Sequence, residues 1–499
     1  MDLSKILFKR RYNRLQTELK DPFLYQKRIF KYLINRAKNT KWGTKYDYKS
    51  ISSIEDYQKQ VPISKYEDLE EYILEILESD KPNVLWPGKT KLFAKSSGTS
   101  NSKSKFIPVS KESLKDNHYK IGRDLLAIYF NQVKCSKILY GNSFALAGSR
   151  QNESLAKNKY ISDISVLLIK FLPWWVKLRR SPSFKIASMI DWELKLFKIS
   201  NIIRKKNISS FSGVPSWNLL LMKKVLELEN KDDLHKVWPN FELFIHGGVS
   251  FHPYRSQFEK LFKNRGINYL EVYNASEGFF AFQDDLKRDD MLLSLNSAIF
   301  YEFLSLEDIN NNNPKTYTID KVELNKNYAL IISTSSGLWR YLIGDTIKFT
   351  SLKPHRIIVS GRIKSFINTF GEELIVDNAE KALNLLNIKH DTEIREYTVA
   401  PVFMSDNNTG RHQWLIEFNK DPNDLNVYIK DLDIELKKLN SDYEAKRYND
   451  MTLEMPELII ARKNLFYDWF KVNKRLGGQY KVPRLKNDRE FMEDILRLN

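Results

Sequence analysis

Three short stretches carry side chains that could handle a nucleotide. Lys95-Ser96-Ser97-Gly98-Thr99-Ser100-Asn101-Ser102-Lys103-Ser104-Lys105 gathers small hydroxylated residues around one glycine and closes on an amine. Backbone N–H groups and hydroxyls in such a loop can wrap phosphate oxygens, and a lysine offsets their charge. The stretch lacks the Gly-Lys-Ser/Thr ending of the nucleotide P-loop, so a motor or GTPase site is excluded. Tyr273-Asn274-Ala275-Ser276-Glu277-Gly278 follows an apolar run, which puts the Glu277 carboxylate at a strand end, where it could hold magnesium together with phosphate oxygens. Leu338 to Asp345 ends in Gly344, which lets the backbone turn, and in Asp345, whose carboxylate can accept from both hydroxyls of a ribose diol. Taken singly, each stretch is also what a solvated surface turn contains.

These loops need a scaffold of strands. Short apolar runs bounded by Gly, Pro, Asn or Ser occur at Ile138 to Ala147, Ser209 to Val214, Leu243 to Val249, Tyr269 to Tyr273 and Phe279 to Phe282. Helical patterns lie between them, at Trp217 to Glu229 and Tyr254 to Lys263, and alternation of this kind predicts an α/β body with a substantially parallel sheet. Lys91 to Val109 reads as strand, loop, strand. The first sixty residues read as helices, with Phe23, Tyr25, Ile29, Leu33 and Ala37 on one stripe. Near Val359-Ser360-Gly361-Arg362 an apolar run stops at a Ser-Gly-Arg turn, which predicts a large body over residues 1–361 and a smaller α+β body over 362–499. The smaller body holds strands at Ile394 to Val402 and Gln413 to Phe418 and a helix with Tyr428, Leu432, Leu436 and Leu439 on one face.

At 499 residues, 42% of them hydrophobic and 13% aromatic, the chain is too long for one ordinary core and too apolar for disorder. Cys135 is the sole cysteine, which excludes an intramolecular disulfide and any thiolate cluster and points to a reducing compartment, with the cytoplasm as default. Met1 to Leu15 lacks a signal peptide's apolar region, and Val166 to Val176 is far shorter than the ~20 residues of a membrane span. The net charge of +18 is concentrated: residues 1–50 hold 14 Lys/Arg against 4 Asp/Glu, 171–215 hold 9 against 2, and 459–486 hold 8 against 1. Compositional drift, an anionic substrate or a nucleic acid would each account for it, and nucleic acid is the least expected. Oligomeric state is not legible.

In order and spacing, the three loops resemble the Gretchen Hagen family of acyl acid amido synthetases, a branch of the firefly-luciferase-like adenylate-forming superfamily. Ser96 to Lys105 resembles its phosphate loop, Tyr273 to Gly278 its Tyr-x-x-Ser-Glu motif and Arg340 to Asp345 its Arg-Tyr-x-x-Gly-Asp motif. Gly361-Arg362-Ile363-Lys364 with Gly371-Glu372-Glu373 is similar to the superfamily hinge. Gln479-Tyr480-Lys481-Val482-Pro483-Arg484 resembles the family's Gln-Tyr-Lys-x-Pro-Arg stretch, and the Ser-Gly-Lys ending of acyl-CoA ligases is not evident. Ser102 departs from the glycine often found in the phosphate loop.

The resemblance implies an ATP-dependent ligase that makes an acyl-AMP from a small carboxylic acid and transfers the acyl group to an amine, with an amino acid as acceptor. An acyl-CoA ligase or acyl-AMP transferase on the same fold is the alternative. Ser96, Ser97, Gly98, Thr99, Ser100 and Lys105 would hold phosphates, Glu277 the magnesium and Asp345 the ribose. Gly247, Gly248 and Val249 with Tyr273, Asn274, Ala275 and Ser276 would receive the adenine end, and Arg362 would position the nucleotide. Lys364 would be the pivot between half-reactions, and Lys481 would contact the acceptor. For the acyl pocket, which should be apolar, Val214, Trp217 and Phe144 are candidates. Trp174, Trp175, Trp192 and Phe197 read instead as aromatics covering a core beside snorkelling cations. His246 and His252, beside a glycine-rich turn, read as structural.

Overall fold

The structure is a computed structural model that describes residues 3–96, 105–148, 158–189, 191–248, 251, 254–263, 266–309, 311, 314–363, 366–372, 374–404, 409–448, 452–473 and 482–499. The helical stripe near the N-terminus is present. Asp21 accepts from the Leu24 N–H to cap the helix Pro22–Ala37, Pro22 occupies its first turn, and Ile29, Phe30, Leu33, Ile34 and Ala37 are buried.

In chain order the strands are β1 (Leu92–Ser96), β2 (Lys105–Val109), β3 (Asn142–Ala145), β4 (Tyr160–Ser162), β5 (Arg180–Ser181), β6 (Ile208–Gly213), β7 (Leu243–Gly247), β8 (Asn268–Ala275), β9 (Gly278–Phe282) and β10 (Met291–Leu293). They continue with β11 (Ile299–Ser305), β12 (Thr316–Tyr317), β13 (Asn327–Thr334), β14 (Tyr341–Leu352), β15 (His355–Arg362), β16 (Phe366–Ile367), β17 (Leu374–Ile375), β18 (Glu393–Val402), β19 (Arg411–Lys420) and β20 (Glu457–Ile460). Among the described residues twelve of them form one mixed sheet, in the order β12-β11-β13-β14-β15-β10-β9-β8-β7-β6-β3-β5. The expected parallel arrangement holds for β5-β3-β6-β7-β8; from β8 onward the pairing is antiparallel, because hairpins replace the helical crossovers. The fold is therefore α/β with mixed sheets, and the change of pairing at β8 places a hairpin turn beside the C-terminal ends of the parallel strands.

The antiparallel half is clamped to the N-terminal helices by one arginine. Arg340, 4% exposed, forks onto Glu302 of β11 with two 3.0 Å bonds and donates to the carbonyls of Gln58 and Val61 and to the Thr316 hydroxyl. An arginine so buried needs every donor met, and these partners come from three separate segments. Arg340 thus serves architecture, while Asp345, five residues on, reaches the site.

The C-terminal segment builds a separate sheet, β18-β19-β20. Trp414 and Ile416 of β19 pack under the helix Leu425–Leu439 through Tyr428, Leu432 and Leu436, and Leu415 faces the helix Leu465–Val472 through Leu465, Phe466 and Trp469. The expected turn at Ser360-Gly361-Arg362 is not one. β15 runs on to Arg362, with Gly361 opposite Thr346 and Arg362 opposite Asp345 beyond a register shift, and Ile363 N–H still donates to the Gly344 carbonyl at 2.8 Å. The bulge takes up Ser360, which has no opposite residue in the register, without ending the strand. Val166 to Val176 is split between the short helices Ile164–Lys170 and Trp174–Lys177, and no described helix is long and apolar enough to cross a membrane.

Candidate functional site

A cavity of about 2870 Å³ lies over the C-terminal ends of the parallel strands, and residues of all three chemical stretches line it. The first is delivered by a hairpin. β1 and β2 pair antiparallel with Ser96 opposite Lys105, so both ends of the hydroxyl-rich loop are held together at the cavity edge. The Lys105 ammonium lies 5.3 Å over the Tyr66 ring, whose hydroxyl accepts from the Phe106 N–H. Ser97, Gly98, Thr99 and Ser100 lie outside the described residues.

The second comes from the β8–β9 hairpin. Ala275 pairs with Gly278, which leaves Ser276 and Glu277 as its two-residue turn, and Asn274, Ala275, Ser276 and Glu277 all line the cavity. Asn117 fixes this hairpin: its amide donates to the carbonyls of Phe279 and Ser297 and its oxygen accepts from the Phe279 N–H. Asn117 belongs to a π-helical turn, Leu114–His118, a distortion frequent at functional sites. Neighbouring His118 lines the cavity and is pushed down to about 4 by burial, so it is neutral at ordinary pH.

The third meets the second directly. Tyr273 of β8 donates its phenol to Asp345 Oδ2 at 2.7 Å, both groups being buried at the cavity wall. Arg362 stands opposite Asp345 in the strand register; its side chain is not among those described. Gly247 and Gly248 close β7 beside this pair. A Cβ on Gly247 would stand 2.3 Å from the Val272 carbonyl oxygen, and Gly248 takes φ +84, so the close strand end requires both glycines. Val249 lies outside the described residues.

Val214 and Trp217, at the start of the helix Pro215–Glu229, also line the cavity. Phe144, fully buried and meeting the Phe211 ring at 4.4 Å, lines the cavity too, between Ser143 and Ala145 of the same strand. The C-terminal segment closes the far wall. Lys446 lies 4.2 Å over Trp217, the Asn368 amide donates to the Gly248 carbonyl, and Tyr254 donates to the Thr369 carbonyl at 2.7 Å. Lys364 and Lys481 lie outside the described residues. Beyond Lys481, Arg484 covers the Tyr397 ring at 4.5 Å and donates to its carbonyl, which anchors the end of that stretch on β18.

Several cavity residues carry no signal in the sequence. Glu271 on β8 is pushed up to about 7 by burial and then by Asp289. Lys195, 1% exposed, donates to the carbonyls of Ala147 and Gly148 and is brought down to about 8 by burial. Nothing in their local spacing sets them apart from surface charges. His246 is stacked on Phe251 at 4.0 Å and brought to about 3 by burial, in keeping with a packing role; His252 lies outside the described residues. The expectation that the aromatics after Phe171 cover a core fails for Trp174, 74% exposed on the short helix Trp174–Lys177 at the edge of the cavity, and for Phe197, 59% exposed on the helix Trp192–Ile203.

Comparison with known proteins bears on the family and the fold. Residues 11–267 match the GH3 family N-terminal domain, 292–362 its central domain and 375–490 its C-terminal domain. The chain is 22% identical to the indole-3-acetic acid-amido synthetase GH3.3 of Arabidopsis thaliana, covering 94% of this chain and 90% of that protein. It is 22% identical to the jasmonoyl-L-amino acid synthetase GH3.5 of Oryza sativa subsp. japonica, covering 95% and 94%. Its fold is similar to that of the AtGH3.15 acyl acid amido synthetase in complex with 2,4-DB, with TM-score 0.63, 16% identity and coverage of 98% and 96%. It is also similar to a 2-hydroxyisobutyryl-CoA ligase, with TM-score 0.54, 13% identity and coverage of 96% and 92%.

Proposed function

The chain belongs to the GH3 family, and on that premise we propose that it activates a carboxylic acid with ATP as an acyl-AMP and passes the acyl group to an amine, with an amino acid as acceptor. The observation that carries this reading is the convergence of the three loops on one cavity, with Tyr273 of one motif bonded to Asp345 of another.

In the first half-reaction a carboxylate oxygen attacks the α-phosphorus, the bond from that phosphorus to the bridging oxygen breaks, and pyrophosphate leaves with the electron pair. The protein has only to align the partners and stabilise charge on the phosphoryl oxygens. Ser96 to Ser100 and Lys105 hold phosphates, Asp345, fixed by Tyr273, holds the ribose, and Gly247 to Val249 with Tyr273 to Ser276 receive the base. No described group of three or more His, Cys, Asp or Glu side chains could cage a metal, whereas magnesium often takes one or two carboxylates and completes its shell with phosphate oxygens, a mode that Glu277 at the cavity fits. Bound there, the ion would neutralise phosphate charge. In the second half-reaction residues 362–499 turn about Lys364, Arg362 keeps the nucleotide in place and Lys481 meets the acceptor. The amine nitrogen attacks the acyl carbon, AMP leaves, and the nitrogen sheds a proton. A reducing, cytoplasmic setting belongs to the same proposal, on the single cysteine.

The test is acid-dependent pyrophosphate release with ATP and magnesium, followed by mass analysis of products formed with mixed amino acids or with coenzyme A. Glu277→Ala and Asp345→Ala should each abolish pyrophosphate release in a protein that remains folded. Full activity in both variants overturns the site assignment, and a thioester without an amide overturns the acceptor.

A further inference from the structure

The parallel half of the sheet is asymmetric. On one face Phe144 and Phe211 fill a core. On the other, the register sets Ser143 beside Ser210 and Ala145 beside Ser212, and these half-buried small side chains floor the cavity. Parallel strands are normally covered on both faces, so a row of small residues here leaves room for something else. Over β7 and β8 the helix Tyr119–Gln132 supplies that cover, with Ile121 and Leu125 packed against Leu243 and Leu270. Over β3 and β6 there is a trough, walled by Leu139, Leu168 and Leu172 and narrowed at Ala145, which packs against Val166, Ile169 and Ala187.

The trough has direction. Its inner end is Gly247 and the Tyr273–Asp345 pair. From Ala145 back to Gly141, the residue before β3, it runs for four residues, roughly 13 Å at ~3.3 Å each. Its outer end opens where β3 and β5 begin. There Tyr140, Trp174 and Leu178 line the opening while 69%, 74% and 73% exposed. Three large apolar side chains left bare around one mouth mark a place where apolar surface is covered by a ligand. The whole cavity is about three times the upper end of the ~300–1,000 Å³ usual for one small ligand, so a nucleotide alone does not account for it.

We propose that the acid activated here is a long-chain aliphatic monocarboxylic acid whose carboxylate lies at the nucleotide end and whose chain follows the Ser143–Ser210–Ser212 floor toward the Trp174 mouth. A chain of about ten carbons spans the trough, since each C–C bond of ~1.5 Å advances somewhat less than its length. This rests on the ligase reading, and it specifies the substrate class.

The experiment measures ATP-dependent pyrophosphate release with acetate, hexanoate, dodecanoate and hexadecanoate, and calorimetric binding of dodecanoate without ATP, for the full chain and for Ser210→Leu. Each buried methylene is worth about fourfold, so kcat/KM should rise at least about 100-fold from hexanoate to dodecanoate. Ser210→Leu, which blocks the floor midway, should cut that ratio at least about tenfold, and its thermal unfolding would show that it is folded. If short acids react and dodecanoate neither binds nor reacts, or if Ser210→Leu slows all acids equally, the substrate class is overturned while the ligase reading stands. If no acid releases pyrophosphate yet dodecanoate binds and Ser210→Leu abolishes that binding, the trough assignment stands and the ligase reading falls.

Discussion

Tyr273 and Asp345, 72 residues apart in sequence, meet through a buried 2.7 Å hydrogen bond in which the phenol donates to the carboxylate. The bond ties β8 to β14 at the cavity wall and fixes the carboxylate assigned to the ribose. Tyr273→Phe should leave the fold intact and raise KM for ATP about tenfold, since a hydrogen bond to a charged group is worth roughly 1.5–3 kcal/mol and tenfold is about 1.4. Initial rates of pyrophosphate release against ATP concentration would show it; an unchanged KM would mean that the bond does not position Asp345.

Arg340 makes a contrasting prediction. Removing one member of a buried pair strands the other, so Arg340→Ala should cost about 3–5 kcal/mol in urea unfolding, through the loss of Glu302's partner. Arg340→Lys should not rescue it, because an ammonium cannot replace the fork that bridges Glu302, Thr316 and the carbonyls of Gln58 and Val61. A variant as stable as the parent would refute the clamp.

Glu271 should give stability a pH slope. Its folded value of about 7 lies above the ordinary 4.5, so the native state holds this proton more tightly than the unfolded chain. Stability from this group is therefore fully present below about 4.5 and is lost as pH rises through 7. Glu271→Gln removes the slope. The variant should be more stable than the parent at pH 8, by up to about 3 kcal/mol, and equal to it near pH 4. Paired denaturation curves at the two pH values decide it.

Gly247→Ala should be severe for a steric reason. Its Cβ would press on the Val272 carbonyl, so β7 and β8 must part, at a cost of about 1–3 kcal/mol, and the nucleotide end of the cavity must change shape. Nucleotide binding followed by calorimetry should fall well beyond what the stability loss explains. Parent-like affinity would place the base elsewhere.

The sequence was most legible where local pattern alone decides structure. β1 and β2, β6 to β9 and the helices Pro22–Ala37 and Leu425–Leu439 follow their apolar spacing closely. The turn expected at Gly361 failed because a bulge, set by partner Thr346 on another strand, is a tertiary event that a lone Ser-Gly-Arg cannot announce. At the site, the motif residues could be named from order and type. Asn117, Glu271 and Lys195 could not, because their roles arise from carbonyls and carboxyls brought close by strands distant in sequence. Arg340 shares a motif with Asp345 in the sequence, and only the fork onto Glu302 reveals its structural duty.

The pairing of Ser143 with Ser210 and of Ala145 with Ser212 makes the trough a graduated ruler. Successive marks on one strand lie two residues apart, roughly 6.6 Å, while every bulky neighbour on the same strands points into the opposite core. Enlarging one side chain at a chosen mark would set a different limit on chain length without touching the nucleotide end, so divergence or redesign of specificity here could proceed by single substitutions.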